Sequence, residues 1–366
     1  MTWGWRDRGL GAEGSGPPLC WVAATLAHMA HKAARMETLR ESATIADGRA
    51  CRISLLPVGG ITPERFKLFA DLIRQYSEVE LRAIRIDHAQ PTKFARRTCE
   101  GPQWSRLGIK LQFIEDLHAP DAWADFQPTK EVLGVVGICD CAAAGPGLDL
   151  RAAHGEFVKA ASLHKFVAQS ATYRLYAFDP PESQADLPEI GSSLVLIPPT
   201  GPGHDAERLA FYISNQIVDF CGQLIAKLDQ WVTQLDTAMP VLQTSHDTVN
   251  IEESSKIGRR RAGRVHKYMA DCAMLAGSPL DARELYQSAI EQCKSTEDRL
   301  WYASAMEGLC CAGMTRHEIL QDITLQDAAA EGAGGKMAAL VAEVREKMVD
   351  ALDIYSRRRL SVLENE

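Results

Sequence analysis

The sequence lacks the features that mark membrane-spanning proteins and proteins that coat nucleic acids. No stretch of its 366 residues approaches the roughly 18 consecutive apolar residues that a transmembrane helix needs. There is no excess of positive charge, because 40 lysines and arginines stand against 48 acidic residues and the formal net charge is −8. Proteins that bind phosphate backbones non-specifically usually carry the opposite sign. We therefore expect no membrane-spanning helix and no nucleic-acid partner.

The sequence also has no Cys-x-x-Cys pair, although it contains 10 cysteines. Two close pairs occur, Cys139 with Cys141 and Cys310 with Cys311, and neither has a partner pair at the spacing of a zinc site. The cysteines are scattered through apolar stretches, which is typical of buried, reduced thiols. The cysteine pattern therefore predicts a reducing, cytoplasmic location.

The motifs that cradle phosphates are incomplete. Gly335-Lys336 lacks the upstream glycine of a Walker A loop, where Ala330 stands, and the following serine or threonine, where Met337 stands. The first predicted strand runs into segment 56–61, which has no lysine and in which Pro57 removes a backbone donor. No Gly-x-Ser-x-Gly nucleophile motif occurs. The sequence therefore does not predict a triphosphate site or a hydrolase.

The metal-ligand motifs are incomplete as well. His317-Glu318 opens like the zinc motif His-Glu-x-x-His, but Gln321 stands where the second histidine belongs. Asp140 follows a predicted buried strand and leaves two interpretations, a Walker-B-like metal ligand or a turn former. No metal-ligand spacing links the isolated histidines His88, His118, His154 and His164. We expect a protein that is not an enzyme and that has no bound metal or cofactor.

Residues 1–48 are predicted to form an irregular or divergent leader. The apolar run 19–30 follows Arg6 and Arg8, which leaves a secretory signal peptide as an alternative. Asp7 interrupts the basic segment that such a signal requires, and no clean small-residue cleavage site follows. The leader interpretation is therefore favoured.

Residues 49–203 alternate between strand-like and helix-like patterns, which predicts an α/β domain. Thr62 followed by Pro63 is typical of a helix start. Segment 132–139 is continuously apolar, so we expect it to be a central strand. A further helix is predicted over 150–168, and strands are predicted over 51–58, 79–86, 107–114, 132–139, 172–178 and 194–197.

The rest of the chain, 204–366, is predicted to be all-α. Apolar residues recur at steps of three and four over 206–235, which indicates one long amphipathic helix. The polar segment 243–255 is predicted to be a linker, and apolar residues from Met337 to Tyr355 mark a last long helix. Together these patterns predict a helical domain after the α/β domain.

Part of this helical domain is similar to a tetratricopeptide repeat. Gly277 falls at the turn between two predicted helices, and Ala282, Tyr286 and Ala289 fall on the small–aromatic–small positions of the second helix. The tryptophan, leucine and glycine of the first helix are missing. We favour a tetratricopeptide-like helical solenoid over an ordinary helix bundle, since such repeats bury apolar surface only by stacking.

One basic cluster stands out: Arg259, Arg260, Arg261, Arg264 and Lys267. On a helix, Arg260, Arg264 and Lys267 share one face. A solvated helix face is the plain interpretation, and a surface for an acidic partner or anionic lipid headgroups is the functional one. We take this cluster as the candidate partner- or membrane-binding site.

Four aromatic residues are candidates for anchors at a protein interface, although a core position is favoured for each: Trp231, Tyr286, Trp301 and Tyr302.

The order of these residues resembles a known family. Segment 258–313 carries Arg261, Gly263, Arg264, Lys267, Asp271, Leu275 and Gly277, then Asp281 and Tyr286, then Leu300-Trp301 and Glu307-Gly308-Leu309-Cys310. Pro57-Val58-Gly59, segment 123–127 with Lys130, and the strand 132–140 show the same resemblance. The chain is similar here to the N-terminal portion of the large subunit of the transport protein particle II (TRAPP II) vesicle-tethering complex, the NIK- and IKK-beta-binding protein family.

The resemblance implies a non-catalytic scaffold subunit of a multisubunit tethering and Rab nucleotide-exchange complex in vesicle transport. Its partners would be other transport protein particle subunits, a Rab-type GTPase contacted indirectly, and the anionic membrane surface of the Golgi and trans-Golgi network, contacted peripherally. The α/β domain would be a degenerate GTPase-like fold. Family members continue into immunoglobulin-like β-domains, so a fragment, a truncated gene model or a shortened form is expected. A stand-alone tetratricopeptide-like adaptor for a peptide or protein partner is the alternative.

Overall fold

The computed structural model describes residues 49–84, 108–115, 124–144, 148–180, 188–198, 205–244, 247, 251–324 and 333–357. The predicted leader 1–48 and its apolar run lie outside the described residues. All described residues belong to one compact unit.

Six strands form one sheet: β1 (Ala50–Val58), β2 (Glu78–Glu80), β3 (Gly108–Ile114), β4 (Val132–Asp140), β5 (Tyr173–Phe178) and β6 (Leu194–Ile197). Their order across the sheet is β2-β3-β1-β4-β5-β6. Neighbouring strands are parallel, except that β2 runs antiparallel to β3 at one edge. Ile53 of β1 lies opposite Phe113 of β3 and Gly134 of β4, so β1 and β4 are interior strands.

The structure confirms the mixed α/β prediction and corrects one strand. Every residue of β4 is buried, as its continuous apolar sequence predicts. The strand predicted over 79–86 is wrong over residues 81–84, because a 3-10 turn, Leu81–Ala83, follows Glu80 directly; residues 85 and 86 lie outside the described residues. Only Val79 of β2 is buried, and the two glutamates beside it are exposed. A short charged strand at the edge of a sheet offers little for another chain to pair with.

The helices are α1 (Pro63–Arg74), α2 (Leu150–Ala161), α3 (Lys165–Ser170), α4 (Asp205–Ala238), α5 (Ile251–Leu275), α6 (Pro279–Ser295), α7 (Arg299–Thr324) and α8 (Ala333–Arg357). A single helical turn, Cys141–Ala144, follows β4, and 3-10 turns lie at Pro128–Lys130 and Pro188–Ser193. Among these helices we find none whose length and apolar content would let it span a bilayer.

Two predicted boundaries in the helical segments are wrong. The helix predicted over 150–168 is broken into α2 and α3, because the chain turns after Ala161 and the Ser162 hydroxyl donates to the Val158 carbonyl at 2.7 Å. Such a bond competes with continued helix. The linker predicted over 243–255 is shorter, since α5 begins at Ile251.

The two faces of the sheet are covered by different helices. Leu150, Phe157 and Ala161 of α2 pack on one face, where they form a cluster with alternate residues of β1, β4 and β5. On the other face, Phe220 of α4 lies so close to Gly134 of β4 that a Cβ on this glycine would meet the ring at 2.5 Å. Because β4 has no side chain at this point, α4 can pack directly on the sheet.

Helices α4 to α8 continue from this second face. Each helix from α5 to α8 contacts the one before it, and α5 also contacts α7. Their buried residues belong to the same apolar cluster as Ile53 of the sheet and Phe220 of α4. The change from α/β to all-α therefore lies between β6 and α4, as the sequence predicts, although both parts share one core. The division into separate domains at 203/204 stays a prediction.

The packing of α6 on α7 depends on Gly308. A Cβ at this position would lie 2.2 Å from Cζ of Tyr286, which is much closer than two non-bonded carbon atoms can approach. Gly313, in the same helix, is different, since its Cβ would meet only Cδ1 of Leu340 at 3.8 Å. The two glycines provide a matched pair for testing this packing.

We expect Gly308→Ala to lower the free energy of unfolding by about 1–3 kcal/mol, because the new methyl group overpacks the core against Tyr286. Gly313→Ala should be neutral or stabilising by up to about 1 kcal/mol, since alanine favours helix more than glycine does. Urea denaturation followed by circular dichroism measures both. Equal effects of the two substitutions would contradict this account of α6–α7 packing.

Candidate functional site

The sequence gives one candidate site, the basic cluster of α5, and leaves the role of Asp140 open at the carboxyl edge of the sheet. In open α/β sheets, ligands usually bind outside the carboxyl ends of the strands, where the strand order reverses. In this sheet that place lies beside the ends of β1 and β4. Gly59 and Gly60 follow β1 with φ of 70° and 72°, and the Thr62 hydroxyl then caps α1 by accepting from the Arg65 N–H.

At this edge Asp140, the last residue of β4, forms an ion pair. Its side chain is fully buried, and Nε of Arg65 donates to Oδ2 at 2.6 Å. The Arg65 guanidinium also lies 4.8 Å from the ring centroid of Phe69, which stacks on Phe178 with 3.8 Å between centroids. The role of Asp140 in this structure is to bind Arg65 of α1. Neither of the two interpretations from the sequence, a metal ligand or a turn former, describes this role.

The space beside Gly59 is filled by side chains. A Cβ on Gly59 would lie 2.9 Å from Sγ of Cys139 and 3.2 Å from Cδ1 of Leu148. The dipeptide Gly335-Lys336 lies far along the chain, inside α8, and does not join a strand to a helix as a Walker A loop does. Within the described part of the chain, no group of three or more His, Cys, Asp or Glu residues is placed to hold a metal ion.

The described cysteines are reduced, and all but Cys311 are buried. Burial raises the pKa of Cys221 to about 12. It also raises the pKa of Cys293 to about 12, and the neighbouring Asp298 adds to the shift. These thiols therefore stay protonated at neutral pH and pack as small apolar groups, as the sequence predicts.

The basic cluster lies at the middle of α5, and Arg264 is its most buried member, with 1% of its surface exposed. Its guanidinium donates to both carboxylate oxygens of Asp247, at 2.7 and 2.9 Å, and to Oδ2 of Asp298 at 2.7 Å. It also donates to the backbone carbonyl of Leu242 at 2.8 Å. A buried charge is tolerated only with such partners.

Lys267, one turn further along α5, is 3% exposed. Its ammonium group forms an ion pair with Asp271 at 2.7 Å and donates to the backbone carbonyl of Phe126, which precedes β4. The Trp301 ring lies beside both cations, 5.1 Å from the Arg264 guanidinium and 5.8 Å from the Lys267 ammonium. Phe126 packs edge-on against the same ring. We call Arg264, Lys267, Asp247, Asp271, Asp298 and Trp301 the buried charge network.

The other three arginines of the cluster lie nearer the surface. Arg260 donates to the carbonyls of Thr296 and Glu297, just after α6, at 3.4 and 3.3 Å. Arg261 donates to the carbonyl of Ala238, the last residue of α4, at 2.8 Å. Cations are favourable at helix C-termini, where carbonyl groups lack partners in the helix. Arg259 is exposed.

The predicted basic surface is therefore wrong at Arg264 and Lys267. The helical spacing does place both on one face of α5, but that face is turned into the protein, where carboxylates from other segments bind it. Arg260 and Arg261 are used at least in part to cap neighbouring helices. A role for the exposed Arg259 in binding a partner stays a prediction.

From the sequence, Asp271 enters only through the family resemblance, and none of the three aspartates is predicted as a partner of these cations. Asp271 stands four residues after Lys267, a spacing that brings two side chains together on a helix and could have been recognised. Asp247 and Asp298 lie 17 and 34 residues from Arg264 and come from different segments. No local signal connects them to the arginine.

The aromatic candidates are placed mostly as core residues. Trp301 is fully buried in the charge network, and Tyr286 is 2% exposed and donates its hydroxyl to Asp271 at 2.6 Å. Trp231 and Tyr302 are partly buried against the same core. The favoured core interpretation is thus confirmed for Trp301 and Tyr286.

The electrostatics of the network differ between its carboxylates. Burial alone would raise the pKa of Asp247, but hydrogen bonds from Arg264 and Thr244 outweigh it and hold this pKa below its ordinary value. For Asp271 the effect of burial dominates, and its pKa is raised despite the ion pair with Lys267. Asp247 therefore stabilises the folded chain in its charged form.

We expect Arg264→Ala to lower the free energy of unfolding by about 3–5 kcal/mol, because it leaves the buried Asp298 and the partly buried Asp247 without their cation. Arg259→Ala, five residues earlier on the same helix, serves as the control and should change stability by about 0.5 kcal/mol or less. Chemical denaturation of both variants provides the measurement. A loss below about 1 kcal/mol for Arg264→Ala would contradict a central role for this residue.

A pH series tests the charge state of Asp247. A carboxylate with a lowered pKa in the folded state contributes stability above its unfolded pKa of about 3.9, and this contribution is lost as the pH falls through the folded value. Asp247→Asn should thus be less stable than wild type at pH 7, and the difference should shrink below about pH 4. Asp350→Asn, an exposed carboxylate of α8, controls for the loss of one charge. A difference that does not change with pH would argue against the assignment.

Comparison with known proteins agrees with the resemblance seen in the sequence. The profile of the family described as Trs120/TRAPPC9, N-terminal domain, matches residues 43–252 and 237–322. These matched ranges contain the sheet, α4, α5, α6 and the buried charge network.

Individual relatives give the same result. The trafficking protein particle complex II-specific subunit 120 homolog of Arabidopsis thaliana is 30% identical over 280 residues, which cover 75% of this chain and 22% of the relative. The homolog of Oryza sativa subsp. japonica is 31% identical over 290 residues, or 78% of this chain and 23% of the relative. Human trafficking protein particle complex subunit 9 is 26% identical over 212 residues, 53% of this chain and 17% of the relative.

The chain thus spans about a fifth of the length of these two plant relatives. The matched region corresponds to the N-terminal domain in the family description. The resemblance inferred from Arg264, Lys267, Asp271 and the segments around them is confirmed. The chain belongs to the Trs120/TRAPPC9 family and carries its N-terminal domain.

Proposed function

We propose that the chain acts as a non-catalytic scaffold within a trafficking protein particle complex, where it binds other subunits of that complex. The names of its relatives, which are described as complex subunits, are the observation that carries this proposal. In this proposal the nucleotide exchange on a Rab-type GTPase belongs to the assembled complex. The chain would reach Golgi and trans-Golgi membranes peripherally, as part of that complex.

The packing of the helices on the sheet supports a scaffold role. The buried charge network connects α5 to the segment before β4 through Lys267 and to the start of α7 through Arg264. Directional hydrogen bonds of this kind fix how the elements are oriented, which apolar packing alone does less strictly. A rigid body with long helices offers other subunits a preformed surface, so that little ordering cost is incurred on binding.

The sheet supports the interpretation as a degenerate GTPase-like domain. Its strand order, with one antiparallel edge strand, is compatible with such a fold. At the edge where a nucleotide would bind, the side chains of Cys139 and Leu148 occupy the space beside Gly59, and Asp140 at the end of β4 is paired with Arg65. We therefore infer a domain that contributes structure to the complex and no nucleotide hydrolysis.

The helical hairpin of α5 and α6 supports a second candidate, a tetratricopeptide-like adaptor. Gly277 has φ of 74° in the turn between the two helices, and Ala282, Tyr286 and Ala289 are buried on α6 as the repeat pattern requires. An adaptor of this kind would bind a short peptide without any other subunit. Binding of a peptide in the absence of the complex would distinguish the two candidates.

Size-exclusion chromatography with light scattering tests the scaffold proposal. The full chain is mixed with purified core subunits of the complex, and we expect co-elution at a mass equal to the sum. Arg259→Glu should weaken the association about tenfold if the exposed arginine contacts an acidic partner, because it replaces an attraction by a repulsion. Lys67→Glu, on the exposed side of α1, is the matched control.

A full chain that elutes alone at every concentration would overturn the scaffold proposal for this part of the family. If both variants co-elute with the core subunits as strongly as each other, the scaffold proposal stands but Arg259 has no role in the association. Circular dichroism confirms that both variants are folded before they are compared.

A further inference from the structure

Helix α8 is the last described helix, and its sides differ in burial and in the polarity of their side chains. One side packs on α7: Ala351 and Tyr355 are buried there, and the Tyr355 hydroxyl donates to Glu307 at 3.0 Å. Cys310 of α7 also donates to the carbonyl of Val344. This contact covers roughly a third of the helix circumference, since each residue advances about 100°.

Next to the packed side lies an exposed apolar flank, formed by Val341, Val349 and Leu352. Their exposed fractions are 38%, 58% and 45%, and they account for three of the seven most exposed large apolar side chains among the described residues. Helical geometry places them within an arc of roughly 80°, which also contains the exposed Arg345 between Val341 and Val349. Isolated apolar residues on a surface are ordinary, but three on one flank of a helix, together with the aliphatic part of an arginine side chain, form a surface that a partner can cover.

Beyond the apolar flank lies an acidic flank, formed by Glu343, Glu346, Asp350 and Asp353. All four are exposed. The side chain of Glu343 forms an ion pair with Lys347 at 2.6 Å on the side toward α7. Helical spacing of three and four residues aligns these carboxylates along the helix. The apolar flank is thus bordered by packed helix on one side and by carboxylates on the other.

We infer that this side of α8 binds an amphipathic helix of another protein, with an apolar stripe that covers Val341, Val349 and Leu352 and with lysines or arginines along the border that faces the acidic flank. Two observations support this occupant. Helices α5 to α8 already pack each on the one before, so a further helix continues an existing interface. The row of carboxylates selects a basic border by charge complementarity.

A second copy of this chain fits the surface less well. In a two-fold symmetric pair the same patch contacts itself. Two antiparallel α8 helices joined through their apolar flanks would bring the two acidic flanks together, and like charges at an interface are unfavourable. The inference concerns a partner helix of stated chemistry, and it holds whether or not the chain assembles with trafficking protein particle subunits.

Fluorescence anisotropy with three synthetic peptides tests the inference on the full chain. The first peptide is a helix of about 20 residues with a leucine stripe bordered by lysine and arginine. The second has the same composition in scrambled order, and the third has glutamate in place of the basic residues. We expect saturable binding of the first, with at least about tenfold weaker binding of the other two.

Substitutions locate the binding site. Leu352→Asp should weaken binding of the first peptide about tenfold, because it places a charge in the apolar flank. Leu163→Asp, at an exposed leucine between α2 and α3, is the matched control and should leave binding unchanged. The pair Glu346→Lys and Asp350→Lys should reverse the preference between the basic and the acidic peptide. All these positions are exposed, so the variants should stay folded, which circular dichroism verifies.

Several results would overturn the inference. Equal binding of the scrambled peptide would indicate attraction by net charge alone. Binding that Leu352→Asp leaves unchanged would place the peptide elsewhere, and no binding of any peptide would exclude the surface. If the chain self-associates in sedimentation equilibrium and Leu352→Asp abolishes this self-association, the apolar flank binds a second copy of the chain instead.

Discussion

The burial of the Arg264 guanidinium is the constraint on which the helical half of this protein depends. An arginine almost without solvent contact must find partners for its donors, and here they come from Asp247, Asp298 and the Leu242 carbonyl. Leu242 and Asp247 lie in the segment after α4, and Asp298 directly precedes α7, whereas Arg264 itself lies on α5. The segment after α4, the body of α5 and the start of α7 therefore have to adopt one mutual arrangement, since any other leaves a buried charge without compensation.

Lys267 extends the same constraint to the sheet. Its bond to the Phe126 carbonyl joins α5 to the chain just before β4, and Trp301 lies beside both cations of α5. The apolar cluster that runs from Ile53 through Phe220 to the later helices supplies most of the burial, but apolar contacts tolerate small shifts. The hydrogen bonds of the buried charge network tolerate such shifts less well. They explain how the sheet and the stacked helices keep a fixed relative orientation.

Much of this fold could be predicted from the sequence, because its local patterns agree with its tertiary structure. The apolar run of β4 and the Thr62-Pro63 start of α1 are examples. The prediction failed where contacts between residues far apart in the sequence determine which side of a helix is buried. Charged side chains are usually exposed, so Arg264 and Lys267 were predicted to lie on a surface. Their helical spacing does place them on one face of α5, but this face points into the protein. Only the fold brings Asp247 and Asp298 to them.

The contrast between α5 and α8 gives a rule for locating partner surfaces in this family. On α5 a dense row of cations has its compensating carboxylates within the chain, and the charges therefore report on folding. On α8 the carboxylates remain exposed beside apolar residues that are exposed as well. Burial of those apolar residues would lower the free energy, and the charges next to them would decide which helix is accepted. In this chain, therefore, the exposed apolar side chains of α8 are a better guide to the inferred partner surface than the charge cluster of α5 is.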